Sequence, residues 1–449
     1  MPEYMRRVRA FSPDLWRVLL AAAIVFIVWL GLLAVLYNLY LLRLGFDTRT
    51  VGLLAGLGAL VWGVAALPAA VFGNRFGLRN SIMLGIAVFG AGIALTLLVE
   101  KMPQAQWQAW LLGSQVVTNI GIAFATVNAP PYMMAVSGDY ERPHAFAFLA
   151  ALNPLAAFLG SVTAGVLPGI LAATALAGSP HAGLDQPEPY RMALWVGPLL
   201  CVVAILPLLG AAPGRTAAGP GELATSERPA GTFETQTTKT SLPLALLTFW
   251  AVVIFLEAMS EGSVRTFFNV LLDQGLGTST ADIGLIMGAA QLLPIAVALA
   301  VPMLMSRWGT GYTLLAGILA LAVCLVPFAV GAQNSSQAQT LIQSVLLIGL
   351  PYLAASATFS VIRASRNLFS QEMVIPRWRA NSQGATTLGV ALGLAAIAIV
   401  GGILIEAFGF GALFVAGAIA GLAAGGLLFL YLQMINRRRA AQSLAGRSA

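Results

Sequence analysis

Three ionisable residues, Glu257, Glu261 and Arg265, are spaced four apart within one apolar segment, residues 242–271. Residues four apart share one face of an α-helix, and Glu261 and Arg265 would lie about 6 and 12 Å beyond Glu257. A lone carboxyl in an apolar medium takes up a proton, whereas a carboxylate paired with arginine stays charged. We therefore predict that Glu261 pairs with Arg265 and that Glu257 is the protonatable group. The alternative is a structural ion pair that lines a water-filled vestibule.

Two arginines, Arg363 and Arg366, end another apolar segment, residues 340–366. Long basic side chains at a helix end reach towards the membrane surface and cap the last carbonyl groups, and we favour this role for both. The alternative makes Arg363 an anchor for an anionic substrate.

Polar and aromatic side chains elsewhere in apolar segments are candidates for a substrate cavity. Buried amides need hydrogen-bond partners, so contacts between helices explain each of them equally well. The cavity candidates are Trp29, Asn38, Asn128, Asn153, Gln291, Tyr352 and Arg363.

The composition places most of the 449 residues in lipid. The chain is 59% hydrophobic and 9% charged, against about a quarter charged in a soluble domain. Its basic residues are scattered at segment ends, which excludes a nucleic-acid-binding face. The two cysteines stand singly in apolar runs and the two histidines, His144 and His181, lie between such runs. We therefore expect no disulfide, metal site or cofactor.

Twelve apolar segments are long enough to cross a bilayer as helices. We predict an all-α integral membrane protein with halves at 1–210 and 242–449, joined by a polar linker at 211–241 and ending in a basic tail. The segments are 18–42, 51–73, 81–99, 107–136, 145–177, 191–212, 242–271, 283–305, 312–332, 340–366, 382–405 and 410–435.

The distribution of basic residues predicts the orientation. Of the 24 Lys and Arg residues, 19 fall on the side of the two termini, four fall on the other side, and Arg265 lies within a span. Cytoplasmic loops carry the excess of Lys and Arg. We therefore expect a multi-pass plasma-membrane protein with both termini in the cytoplasm.

The two halves repeat. Val51-Gly52-Leu53-Leu54-Ala55-Gly56 matches Ile283-Gly284-Leu285-Ile286-Met287-Gly288 at an offset of 232 residues. Parallel repeats of six spans predict two similar bundles that face each other across an axis along the membrane normal. Each match contains a GxxxG pair, which allows close approach of another helix and serves either static packing or sliding.

Twelve spans, a central linker and a basic loop after the second span of each half resemble the major facilitator superfamily. The loop reads Gly73-Asn74-Arg75-Phe76-Gly77-Leu78-Arg79 and is echoed by Ser306-Arg307-Trp308-Gly309. The resemblance implies a cytoplasmic gate loop at Asn74, Arg75, Gly77, Arg79, Arg307 and Gly309. It also implies a central cavity lined by helices 1, 4, 7 and 10, which favours Asn38, Asn128, Glu257 and Tyr352. Pro154 resembles the proline of the drug/proton antiporter branch.

These observations predict a secondary active transporter that moves a small, amphipathic organic solute by alternating access, coupled to protons and working as an exporter. The alternatives are an uptake carrier for an organic anion or other metabolite, and a membrane sensor that transports nothing. An enzyme is not expected, because all six aspartates and both histidines lie outside the spans. The expected partners are the solute, protons and membrane lipids, and we expect a monomer.

Overall fold

The computed structural model describes residues 11–138, 141–179, 181, 183–213, 244–333, 348–375 and 378–445. Helices make up nearly all of these residues. The predicted linker falls largely on residues 214–243, outside the described part of the chain, as do the tail side chains beyond Arg437. The proposed bounds of the two halves therefore stay a prediction.

Six helices form the first half. Helix α1 widens into a π-helical stretch at Ile27–Leu33, which contains the cavity candidate Trp29. The helices are α1, Pro13–Arg43; α2, Thr48–Phe76; α3, Leu78–Leu97; α4, Trp107–Val136; α5, Arg142–Ala173; and α6, Glu188–Leu209.

Six further helices form the second half: α7, Leu244–Val270; α8, Thr280–Trp308; α9, Thr310–Gln333; α10, Leu350–Glu372; α11, Arg379–Phe408; and α12, Phe410–Ala445. Within the described residues, eleven helices are long and apolar enough to cross a membrane. Helix α10 carries charged residues within its length. The all-α fold with twelve helices in two bundles is confirmed.

The sequence repeat is also a structural repeat. Helices α2 and α8 have bounds that differ by the same 232 residues at both ends. Each begins with a side-chain cap, in which Asp47 accepts from the amide of Thr50 and Ser279 accepts from that of Asp282. Each ends at a glycine with positive φ, Gly77 at 93° and Gly309 at 81°. Positive φ disfavours other residues, so both loops require glycine.

The halves meet where α2 packs on α11 and α5 packs on α8. Glycines of the repeat make these contacts close. A Cβ atom on Gly52 would lie 2.2 Å from the carbonyl oxygen of Ala398, and one on Gly284 would lie 2.6 Å from Cα of Gly165. The GxxxG pairs therefore face the opposite half.

We call the end at which α1 begins and α12 ends the terminal face. There Arg17 and Arg79 donate to the carbonyl oxygens of Gly210 and Ala211, and the Tyr132 hydroxyl donates to that of Ala212. Three side chains thus hold the residues that follow α6. The other end, with the turns after α1 and α7, is the opposite face.

Candidate functional site

An ion pair joins α7 to α10 inside the second half. Nη1 of Arg366 lies 2.7 Å from Oε2 of Glu257, and the two side chains are 9% and 0% exposed. The expectation that Glu257 has no partner is wrong, because the long arginine side chain reaches it from α10. The expectation that Arg366 lies at the membrane surface is wrong for the same reason. The protonation of Glu257 remains a prediction.

Glu261 is the second carboxylate of this group. Nη1 of Arg265 lies 2.7 Å from Oε1 of Glu261, which confirms the predicted pair. Nη2 of Arg363 lies 3.9 Å from the same oxygen, and Nη1 of Arg366 lies 4.0 Å from Oε2. We call these five residues, Glu257, Glu261, Arg265, Arg363 and Arg366, the charge cluster.

A cavity of about 290 Å³ lies between the two halves, next to the charge cluster. Arg265 belongs to the charge cluster and also lines the cavity, so it connects the two. The cavity also receives four of the side chains that the sequence suggested for a substrate: Trp29, Asn38, Gln291 and Tyr352. Their role in binding remains a prediction.

Sequence reasoning missed one wall residue of this cavity, Gln115 on α4, whereas Asn119 on the same helix, which also lines the cavity, is one of the polar residues of the apolar segments that the sequence suggested. They are four residues apart, and the Asn119 side-chain amide donates to both the backbone carbonyl and the side chain of Gln115. The i, i+4 spacing of two amides in an apolar segment was the available signal. Residues four apart share a helix face, so both side chains reach the same cavity.

The expectation that Asn128 lines the central cavity is wrong. Its side-chain amide donates to the carbonyl oxygen of Ala69 and to the hydroxyl of Ser81, and the residue is 1% exposed. It therefore joins α4 to α2 and α3 within the first half. Asn153 lines a different cavity of about 140 Å³, whose walls are almost entirely apolar.

Amides close the main cavity towards the opposite face. Asn38 on α1 donates to the carbonyl oxygen of Thr266 at 2.8 Å and to the side chain of Asn269 at 3.0 Å. Asn269 donates in return to the carbonyl oxygens of Ala34 and Val35. These contacts join α1 of one half to α7 of the other.

The gate loop positions each have a defined place on the terminal face. Arg79 bonds the end of α6, whereas Arg75 is exposed over the ring of Phe76. Asn74 and Arg307 are exposed, and Gly77 and Gly309 make the two tight turns. Arg79 thus links the gate loop, through a hydrogen bond, to the residues that follow α6. A role for the loop in gating remains a prediction.

The sequence profile of the Major Facilitator Superfamily matches residues 18–385. The chain belongs to the major facilitator superfamily. The resemblance seen in the loop motifs is thereby confirmed, and the protein is a multi-pass membrane protein of a transporter family. The placement near the drug/proton antiporters is not part of this result.

Individual proteins match this chain either over a short stretch or at low sequence identity. The L-fucose-proton symporter of Haemophilus influenzae is 30% identical over 108 residues, and the match spans 24% of each chain. Crystal structures of a mutant of the nucleoside transporter NupG and of a D-xylose-proton symporter share the fold, with TM-scores of 0.68 and 0.66. Their identities are 14% and 13%, and the matches cover 93% and 95% of this chain and 99% and 97% of theirs.

Proposed function

We propose that this superfamily member is a proton-coupled secondary transporter that carries a small polar organic solute by alternating access. The observation that carries the proposal is the charge cluster beside the cavity. Ionisable groups inside a membrane-spanning bundle are costly, and in transporters they form proton and ion pathways. Glu257 is the acid that would bind the coupling proton, because it is fully buried and, although Arg366 bonds its Oε2, its Oε1 has no hydrogen-bond partner among the described residues.

The arrangement of the halves supports alternating access. The amide contacts of Asn38 and Asn269, and the close approach of Gly165 to Gly284, lie towards the opposite face. Breaking such contacts while others form on the terminal face would expose the central cavity to each side in turn, as happens in transporters built from two parallel repeats.

The cavity wall supports a polar solute. Four side-chain amides, Asn38, Gln115, Asn119 and Gln291, line the space between the halves together with Arg265. Amides in a pocket fix the orientation of hydroxyl and carbonyl groups through hydrogen bonds. The names of the L-fucose-proton and D-xylose-proton symporters agree with proton-coupled movement of a hydroxylated molecule.

Export of an amphipathic compound is a second candidate. The 140 Å³ cavity favours it, since its walls are apolar apart from Asn153 and Thr126. A compound with a hydrophobic part would fit there by burial of apolar surface. Substitution of Ala125 by Leu would fill this cavity and should reduce transport of an amphipathic compound without affecting that of a sugar.

We propose that both termini lie in the cytoplasm of a plasma-membrane protein, because Lys and Arg concentrate on their side. Arg363 and Arg366 do not count towards that bias, since both belong to the charge cluster. Reporter fusions at each terminus would test the orientation, and opposite locations for the two reporters would contradict it.

Proteoliposomes test the transport proposal. The purified protein is reconstituted with a pH-sensitive dye inside, and sugars, nucleosides and organic acids are added outside with and without a pH gradient. We expect at least one solute to move protons with it and to accumulate more than tenfold under an inward proton gradient. Accumulation that does not depend on the gradient would contradict proton coupling.

A further inference from the structure

The charge cluster cannot be electrically neutral. It contains three guanidinium groups, Arg265, Arg363 and Arg366, and two carboxyl groups, Glu257 and Glu261. Guanidinium groups stay protonated in proteins. The carboxyl groups supply at most two negative charges, so the cluster keeps an excess positive charge whether or not Glu257 binds a proton.

When both carboxyl groups are ionised, Arg363 carries the uncompensated charge. Arg366 and Arg265 each bond a carboxylate at 2.7 Å, whereas among the described residues the nearest carboxylate oxygen to Arg363 is 3.9 Å away and already bonded to Arg265. The Arg363 side chain is 57% exposed. It stands 13 residues after the start of α10 and nine before its end, about 20 and 14 Å along the helix.

Arg363 is not itself one of the residues that line the central cavity, but its neighbours place it beside the cavity wall. Its guanidinium lies against Glu261, which is 7% exposed, and Glu261 bonds Arg265, which lines the central cavity. Water there solvates the charge while the cavity is open. When the halves close around a solute the water is excluded, and an unpaired charge then becomes costly.

We propose that the transported solute carries one negative charge, held as a carboxylate between Arg363 and Arg265. Both guanidinium groups lie within 4 Å of the same oxygen, Oε1 of Glu261, so one carboxylate can reach both. Paired N–H groups of arginine match the geometry of a carboxylate. The inference rests on the proposed transport function and names its substrate class.

The other side chains of the cavity wall indicate the chemistry of the solute beyond its carboxylate. The amides of Asn38, Asn119 and Gln291 supply hydrogen-bond donors and acceptors, and Trp29 supplies an aromatic surface. These groups suit hydroxyl groups on a short carbon chain. The solute is therefore a small hydroxylated monocarboxylate, the acid form of a molecule of sugar or smaller size.

Matched pairs of acid and neutral molecules test the charge without any need for transport. The purified full-length protein is heated with gluconate or glucose, and with lactate or lactamide, at constant ionic strength set with sodium chloride. We expect the acid of at least one pair to raise the apparent Tm at a tenfold lower concentration than its neutral partner. A panel in which no acid outperforms its neutral partner would overturn the proposal.

Variants locate the binding group. Arg363→Gln should remove the tenfold preference, and Arg363→Lys should keep part of it. Arg49→Gln, an exposed arginine at the start of α2, is the matched control and should keep all of it. Each variant is first shown to unfold at the wild-type Tm without solute, and Arg363→Met replaces Arg363→Gln if the latter fails this test. A preference that survives loss of the positive charge at residue 363 would overturn the assignment.

The two proposals fail in different ways. Acid-selective binding without proton-driven accumulation would support the anion site and contradict proton-coupled transport. Proton-driven accumulation of glucose in preference to gluconate would support proton-coupled transport and contradict the anion site.

Discussion

Arg43 at the end of α1 and Asp273 in the turn after α7 form a two-point ion pair between the halves. The distances are 2.7 Å from Nη2 to Oδ1 and 2.9 Å from Nη1 to Oδ2. The side chains are 20% and 7% exposed, and Arg43 also donates through Nε to the carbonyl oxygen of Leu184. Two-point arginine–carboxylate pairs are strong and directional. This pair therefore stabilises the closed arrangement at the opposite face.

Asp273→Asn should shift the protein towards the state that is open at the opposite face. Loss of a charge-assisted contact of this kind costs about 1.5–3 kcal/mol, which corresponds to a tenfold or larger change in population. Spin labels at the exposed residues Gln104 and Gln274 would report a longer distance between the halves. Asp14→Asn, which removes an ion pair with Arg17 on the terminal face, is the control. Equal distance distributions for Asp273→Asn and wild type would contradict the prediction.

Glu257→Gln should abolish accumulation driven by a proton gradient while leaving solute exchange at equal pH. Glutamine binds no proton, but its carbonyl oxygen can still accept a hydrogen bond from Arg366, so the link between α7 and α10 persists. Flux into proteoliposomes measures both activities. We expect a loss of more than tenfold in the driven flux.

Glu406→Gln is the control for the Glu257 prediction, because Glu406 is exposed near the end of α11. It should leave the driven flux unchanged. Full gradient-driven accumulation by Glu257→Gln would remove Glu257 from the proposed proton site. Apparent Tm values for both variants show whether the fold is retained.

Gly284→Ala should separate α8 from α5. The added Cβ atom would lie 2.5 Å from the carbonyl oxygen of Ser161, so the helices must move apart, and overpacking of this kind costs about 1–3 kcal/mol. We expect a lower apparent Tm and slower transport. Gly426→Ala is the matched control, because a Cβ atom there meets nothing within 4 Å. Its helix should gain up to about 1 kcal/mol from the better propensity of alanine. Equal unfolding temperatures for the two variants would be inconsistent with a tight contact.

Arg79→Gln should loosen the end of α6. Arg79 donates to the carbonyl oxygen of Ala211, and the shorter glutamine side chain would lose that contact. Hydrogen exchange of amides between residues 208 and 213 should rise by about tenfold, the effect of a change of about 1.4 kcal/mol in local opening. Arg75→Gln, which changes an exposed arginine of the same loop, should leave this exchange at the wild-type rate. Identical exchange in both variants would show that Arg79 does not hold this segment.

The sequence alone determined the features that depend on local periodicity. Apolar runs of sufficient length specify membrane helices, and eleven of the helices in the described residues satisfy that test. Gly77 and Gly309 are also 232 residues apart, the offset of the repeat, and the backbone turns with positive φ at both. The Glu261–Arg265 pair followed from their spacing, because residues four apart on a helix are neighbours whatever surrounds them.

Which residues meet across helices depends on tertiary packing. Glu257 and Arg366 are 109 residues apart, and spacing along one helix says nothing about a partner on another. Asn128 looked equivalent to Asn38 by its position in an apolar run, but packing turns it towards Ala69 and Ser81 and turns Asn38 towards the other half. The rotation of each helix and the approach of its neighbours fix these pairs, and both depend on how all the surfaces pack together.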